Sequence, residues 1–172
     1  MVRVIAVEGV PGVGKTTCIQ ALQQRFSERG VTSTIIPEVV TPFPPAPVPS
    51  SFFVQNDYNK WELAKSATTD AVLMDRTWVS TNSCATILRK RGHVQHHTSA
   101  EFAVDGCIFI SMLQTPWSPT PTDWPWTLPN FLADWEREAL VNLRALTVNV
   151  FFWRGDLRDA EEFILKLGVG SE

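Results

Sequence analysis

The chain has 172 residues, 44% of them hydrophobic, with 15 Lys and Arg against 18 Asp and Glu for a formal charge of -3. That is enough to bury one ordinary core and too apolar for a disordered chain, and the faintly acidic balance argues against a nucleic-acid-binding face, which needs a basic stripe. No apolar run reaches the roughly 18 residues of a membrane span. Residues 1–8 lack the basic-then-apolar pattern of a secretory leader, and Cys18, Cys84 and Cys107 are too few and too scattered for a disulfide framework or a zinc site. The expectation is one domain over residues 1–172, cytoplasmic, with neither nucleic acid nor membrane as a partner.

In chain order, residues 2–8 (VRVIAVE) form a β-branched run ending at Gly9, which predicts a strand. Residues 15–29 set Cys18, Ile19, Leu22 and Phe26 at helical spacing and stop at Gly30, a residue suited to the left-handed position after a helix. Thr32 to Pro37 reads as the second strand. Pro37, Pro42, Pro44, Pro45, Pro47 and Pro49 then exclude regular structure and predict a stiff loop over 39–50. Phe53 to Thr68 is a predicted helix with Trp61, Ala64 and Ala67 on one side, Ala71–Met74 a short buried strand stopping at Asp75, and Val79–Arg91 a helix ended by Gly92.

Cys107 to Leu113 predicts a fourth strand, and Pro116, Pro119, Pro121, Pro125 and Pro129 mark a second loop over 114–130. Phe131–Leu146 is a predicted helix, Val148–Trp153 a fifth strand, and Leu157–Leu167 a closing helix with Asp156 at its N-cap. Continuous apolar strands alternating with helices predict a three-layer α/β fold, a five-stranded parallel sheet with helices on both faces. In such folds the ligand lies beyond the carboxyl ends of the strands, which is where Glu38, Asp75 and both proline-rich loops fall.

Gly9-Val10-Pro11-Gly12-Val13-Gly14-Lys15-Thr16 matches GxxxxGK[ST] in full, between a strand and an amphipathic helix. Glycines let consecutive backbone N–H groups point inward, and the helix N-terminus adds free donors and positive dipole for phosphate oxygens. Residues Gly9, Gly12, Val13, Gly14, Lys15, Thr16 and Thr17 are therefore the expected triphosphate cradle. Lys15 is expected on the β- and γ-phosphates and the Thr16 hydroxyl on Mg²⁺.

Asp75, at the end of an apolar strand, is placed to hold Mg²⁺ together with Thr16, and Arg76 beside it offers a permanently charged fork for phosphate. The plainer alternative has Asp75 capping the helix that starts near Trp78 and Arg76 in a surface ion pair. Glu38 ends the second strand, where a carboxylate is placed to take a proton from an attacking hydroxyl; otherwise it is a solvated loop residue. Between Glu38 and Asp75 there is no Arg and only Lys60 and Lys65. That shortage of cations tilts the reading toward a hydroxyl acceptor and away from a phosphate one.

With VEGVPGVGKTT, PEVV, FFVQNDYNKWELAKSA and MDRTWVSTNS on the page, the first half of the chain resembles the deoxynucleoside kinase and thymidylate kinase group of P-loop phosphotransferases. The resemblance implies the P-loop NTPase fold, ATP as co-substrate and Mg²⁺ as cofactor. It implies Glu38 as base toward a sugar hydroxyl, the Asp75-Arg76 pair on magnesium and phosphate, Gln55 hydrogen-bonding a base, and the Arg154-Gly155-Asp156 turn near the adenine. Two departures stand out: Pro37 occupies the place of the Arg that usually precedes the Glu in thymidylate kinases, and the arginine-rich lid is replaced by a Pro- and Trp-rich span with only Arg137 and Arg144 to follow.

Phe43, Phe52, Phe53, Trp117, Trp124 and Trp126 lie in or beside the two loops, either to sandwich a flat acceptor or to pack on one another as a lid or a homodimer contact. Phe53 is expected to line the acceptor pocket. Trp61, Trp78 and Trp135 read as core or partly buried packing, although Trp78 follows Arg76 closely enough to line the pocket instead. His93, His96 and His97 suggest a metal by spacing, though Gly92 and the lack of a nearby carboxylate favour a polar loop. Asn59-Lys60-Trp61-Glu62 comes nearest to a guanine-selecting NKxD motif and sits in the wrong region. The reading is an ATP-dependent phosphotransferase in which Lys15, Glu38, Arg76 and Arg137 carry the chemistry on a nucleoside, nucleotide or antibiotic-like acceptor. The alternatives are a nucleoside monophosphate or antibiotic-type kinase and, from another class, an NTP-binding regulatory switch.

Overall fold

A computed structural model describes residues 2–93, 100–113 and 124–170. In chain order the elements are β1 (Arg3–Glu8), α1 (Lys15–Glu28), β2 (Ser33–Ile36), α2 (Ser51–Ser66), β3 (Ala71–Asp75), α3 (Trp78–Lys90), β4 (Gly106–Phe109), α4 (Phe131–Leu146), β5 (Val150–Phe152) and α5 (Leu157–Lys166). The strands pair in the order β2–β3–β1–β4–β5, all parallel, with Ile5 opposite Leu73 on one side of β1 and opposite Gly106 on the other. This is the three-layer α/β sheet that the sequence pattern predicts.

The central strands are apolar on both faces because helices cover both. Ile5, Ala6 and Val7 of β1 and Ala71–Met74 of β3 are shut off from solvent. α1 turns Cys18, Ile19, Leu22 and Phe26 inward, and α4 turns Phe131, Trp135, Ala139 and Leu143 inward, so each helix buries one stripe against the sheet. α1 and α5 are tied by the fully buried Glu161, which pairs with Arg29 at 2.6 Å and Arg25 at 3.2 Å. α3 lies against α4, where Lys90 meets Glu138 at 2.9 Å and Asn142 donates to Ser83 Oγ at 3.0 Å.

Some boundaries depart from the sequence reading for local reasons. The strand expected to run from Cys107 to Leu113 ends at Phe109. The Ile110 N–H still reaches the Glu8 carbonyl at 2.9 Å, but β1 then turns away at Gly9. The next residues are captured by Glu136 of α4, which accepts from Ser111 Oγ at 2.6 Å and the Met112 N–H at 2.9 Å. β5 begins at Val150 rather than Val148, whose side chain stands in solvent. α2 begins at Ser51, two residues before Phe53, because Phe52 is drawn into the core, and α3 takes in Trp78 because Thr77 is its N-cap.

Among the described glycines, Gly9, where the sheet meets the loop after β1, has the closest backbone neighbour. A Cβ on Gly9 would sit 2.6 Å from the Ile110 carbonyl oxygen and 2.9 Å from the Val13 side chain, so only glycine lets β4 reach this far. Gly9→Ala is expected to cost about 1–3 kcal/mol, as overpacking against fixed backbone does. A wild-type urea denaturation midpoint for that variant would contradict this packing.

Candidate active site

The loop from Gly9 to Thr17 is anchored by its valines and open at its glycines. Val10 and Val13 are buried, while Gly12, Gly14, Thr16 and Thr17 face solvent. Gly14 stands immediately before α1 with φ 94, a left-handed conformation that turns the loop onto the helix axis. Lys15 is 6% exposed, and its ammonium donates to the Val10 carbonyl at 3.1 Å. Burial, and next the Arg76 charge, lower its pKa to about 8, while Asp75, Glu38 and Glu8 pull the other way. Those five charged groups therefore share one electrostatic neighbourhood.

Thr16 Oγ1 donates to Asp75 Oδ2 at 3.2 Å, and the buried Asp75 Oδ1 has no partner. A hydroxyl beside an under-satisfied carboxylate is the hard-oxygen set that Mg²⁺ takes, so Thr16 and Asp75 fit that cofactor. Asp75 does not cap the following helix. Thr77 does, its hydroxyl accepting from the Val79 N–H at 3.2 Å.

Arg76 is buried, with φ 63, a left-handed conformation rare outside glycine. Three contacts hold it. Its N–H donates to the Val7 carbonyl at 3.0 Å, and Lys60, 1% exposed on α2, donates to the carbonyls of Asp75 at 2.6 Å and Arg76 at 2.8 Å. The fully buried Glu8 fixes the next residue, accepting from the Thr77 N–H at 2.6 Å and hydroxyl at 2.7 Å and from Ser80 Oγ at 2.8 Å. Burial pushes the Glu8 pKa up and the Lys60 pKa down, the cost of placing each charge inside the protein.

So held, Arg76 presents Nη1 to Glu38 Oε1 at 3.0 Å, lies over the Trp126 ring at 5.1 Å, and keeps a buried Nε without a partner. Glu38 is thus ion-paired on a half-exposed side chain. Next to this pair opens a cavity of about 630 Å³, within the usual range for small-molecule sites. Its walls are apolar where Phe43, Phe53, Trp124 and Trp126 contribute, and polar where Asn56, Asp57 and Thr81 do. The first proline-rich loop is fixed over it by Asn56, whose Oδ1 accepts from the N–H groups of Val40 at 2.9 Å and Thr41 at 3.1 Å. The Asn56 Nδ2 donates to the Glu38 carbonyl at 2.9 Å.

The structure brings together Lys15, Thr16, Asp75, Arg76, Glu38 and Phe53, and moves four expected residues elsewhere. Gln55 is on the solvent side of α2, donating to Asn59 Oδ1 at 3.0 Å, so Asn56 and Asp57 take the inward positions instead. Trp78 is a core residue whose Nε1 donates to the Phe102 carbonyl at 2.7 Å; the helical start at this position turns it inward, away from the cavity. Arg137 is exposed on α4 and paired with Asp134. Arg144 belongs to the last turn of α4, whose Leu146 carbonyl accepts from the Val104 N–H at the amino ends of the strands, away from the phosphate loop. Neither arginine closes over the phosphate loop.

Phe43 stacks on the buried Phe52 at 4.8 Å and Trp126 meets Trp135 at 5.8 Å, yet Phe43 and Trp126 also line the cavity. His93 meets Trp124 edge-on at 5.9 Å. Trp117, His96, His97 and the loop residues 114–123 lie outside the described residues. Sequence reading missed Glu8, Asn56, Asp57 and Lys60. The one available signal was the spacing of Phe53, Asn56, Asp57 and Lys60 on a single helical face.

No family model and no curated protein sequence matches the chain. Among solved structures it is similar to deoxyadenosine kinase from M. mycoides with bound dATP, at TM-score 0.59 and 12% identity over 95% of this chain and 97% of that one. The chain has the fold of the P-loop nucleoside and nucleotide kinases. Thymidylate kinases show the same kinase-like fold: the Candida albicans enzyme at TM-score 0.58 and 14% identity over 96% of this chain and 90% of that one. The Ehrlichia chaffeensis enzyme gives 0.53 and 14% over 96% and 98%. Against this kinase-like background, among the described residues no helix is long and apolar enough to cross a membrane.

Burial raises the Asp57 pKa to about 6, partly offset by the Thr81 hydrogen bond and the Lys60 charge. Because the folded value lies above the unfolded one, the stabilising contribution is complete below about pH 4 and is lost as pH rises through 6. Asp57→Asn is therefore expected to be more stable than wild type at pH 8, by on the order of 2 kcal/mol, with the gain vanishing near pH 4. Urea denaturation at the two pH values reads this, and a loss of stability at pH 8 would contradict it.

Proposed function

We propose that this protein is an ATP-dependent kinase that moves the γ-phosphoryl group of ATP to a hydroxyl of a nucleoside-like small molecule. The observation that carries the reading is the Arg76–Glu38 ion pair, which stands between the phosphate loop and the cavity. On this reading the amides of Gly9, Gly12, Val13, Gly14, Lys15, Thr16 and Thr17 cradle the triphosphate, and the Lys15 ammonium balances the β- and γ-phosphate charge. Thr16 and Asp75 hold Mg²⁺, which when bound neutralises phosphate charge. Glu38 accepts the proton of the attacking hydroxyl at its carboxylate. Arg76, fixed and largely dry, gives N–H bonds to the phosphoryl oxygens as their charge spreads.

The cavity supports a hydroxyl acceptor over a monophosphate. A phosphate placed there would face the carboxylates of Glu38 and Asp57, and among the lining cations Lys60 already directs N–H bonds to two carbonyls, which leaves Arg76 as the guanidinium at hand to bond it. A cavity of this size beside the phosphate loop also has no use in a nucleotide switch that acts through a partner protein.

Lys15→Ala should weaken ATP binding by roughly 10- to 100-fold, as loss of a charge-assisted contact does, and turnover should fall with it. Glu38→Gln should lower kcat by about 10²- to 10⁴-fold with ATP affinity unchanged. Both are read by calorimetry and by ADP release with hydroxylated nucleosides. Wild-type turnover in either variant would overturn the assigned roles.

A further inference from the structure

Several polar side chains that α2, α3 and the turn before α3 turn toward the cavity have donors engaged within the protein. The Asn56 amide bonds the Glu38 carbonyl, Lys60 bonds two carbonyls, and the Thr77 and Ser80 hydroxyls bond Glu8. The Thr81 hydroxyl donates to Asp57 Oδ2 at 2.6 Å. Arg76 keeps a spare donor, but at the edge shared with the phosphate loop. Among these groups the Asp57 carboxylate stands out as an acceptor for a ligand: it is 4% exposed, lines the cavity and is bonded by Thr81. The rings of Phe53, one turn earlier on the same helix, and of Trp126 line the same cavity, and their faces suit a planar group.

We propose that Asp57 is the specificity-determining residue of this cavity, and that the acceptor is a hydroxylated compound whose flat ring carries an exocyclic amino group that donates to the Asp57 carboxylate. The inference rests on reading the cavity as the acceptor site. A ring with a carbonyl oxygen at that place sets acceptor against acceptor, leaving two buried groups without a hydrogen between them. A site built around a ligand N–H rejects the analogue that lacks it far more strongly than a methylene-sized pocket rejects a misfit.

The test is calorimetric binding of deoxycytidine and deoxyadenosine against deoxyuridine and deoxyinosine, which replace the amino group with oxygen, to the full chain without ATP. Wild type should prefer the amino member of each pair by roughly 10- to 100-fold. In Asp57→Asn, whose amide both donates and accepts, the preference should collapse to within about threefold. Thr81→Val, which frees the carboxylate to turn, should reduce it severalfold and serves if Asp57→Asn does not fold. Equal binding within the wild-type pairs, an unchanged preference in the folded variants, or no binding of any of the four would overturn the proposal. ADP release measured in parallel separates the two ideas. Amino preference without ADP supports the Asp57 subsite and rejects phosphotransfer, whereas ADP release that favours the oxo members rejects the subsite and keeps the kinase.

Discussion

The rest of the candidate site depends on one turn, Asp75-Arg76-Thr77, held between two buried charges of opposite sign. A non-glycine residue in the left-handed region costs about 1–2 kcal/mol, and Arg76 stays there because its neighbours leave no alternative partner for the backbone. Lys60 takes the carbonyls of Asp75 and Arg76, and Glu8 takes the N–H and hydroxyl of Thr77. Glu8 is the last residue before the phosphate loop and Lys60 lies on the helix that walls the cavity. The two halves of the site are thereby joined through a few hydrogen bonds, and any shift of α2 or β1 is felt at the Arg76 guanidinium. Desolvating both charges is expensive, which is why each is surrounded by two or three short bonds.

The proline-rich composition finds its place on the same face. A loop of this length would be mobile if built from flexible residues, but here proline limits the backbone and Asn56 supplies the N–H and C=O partners that a loop lacks. Glu38 is positioned by that staple from behind and by Arg76 from in front. The second loop contributes Trp126, wedged between Arg76 and the core residues Phe131 and Trp135. The cavity wall therefore rests on the hydrophobic core instead of hanging from loop ends.

Much of this was legible in sequence where the signal is local. The phosphate loop is a contiguous motif whose flanks must be a strand and a helix, and Glu38, Asp75 and Arg76 stand at strand ends that apolar runs mark clearly. What stayed hidden were polar residues doing interior work. On α2, Ala64 of the expected inner side is buried, but the resemblance pointed to Gln55 as the residue facing the ligand, whereas Asn56, Asp57 and Lys60 are the buried polar positions. Nothing local to an Asn, Asp or Lys says that it will be inside; only the backbone groups it satisfies, from segments far away in sequence, say so. Of the two readings of Trp78 the packing one holds, since two residues beyond a left-handed turn the chain has already started a helix facing the core.

The central claim is that the triphosphate loop and the cavity beyond Arg76 act on one another. The destination of labelled phosphate tests it most directly: the full chain is incubated with ATP radiolabelled at the γ-position, magnesium and a hydroxylated nucleoside, and the products are separated. The account requires label covalently attached to the nucleoside. Label found solely as inorganic phosphate would contradict it.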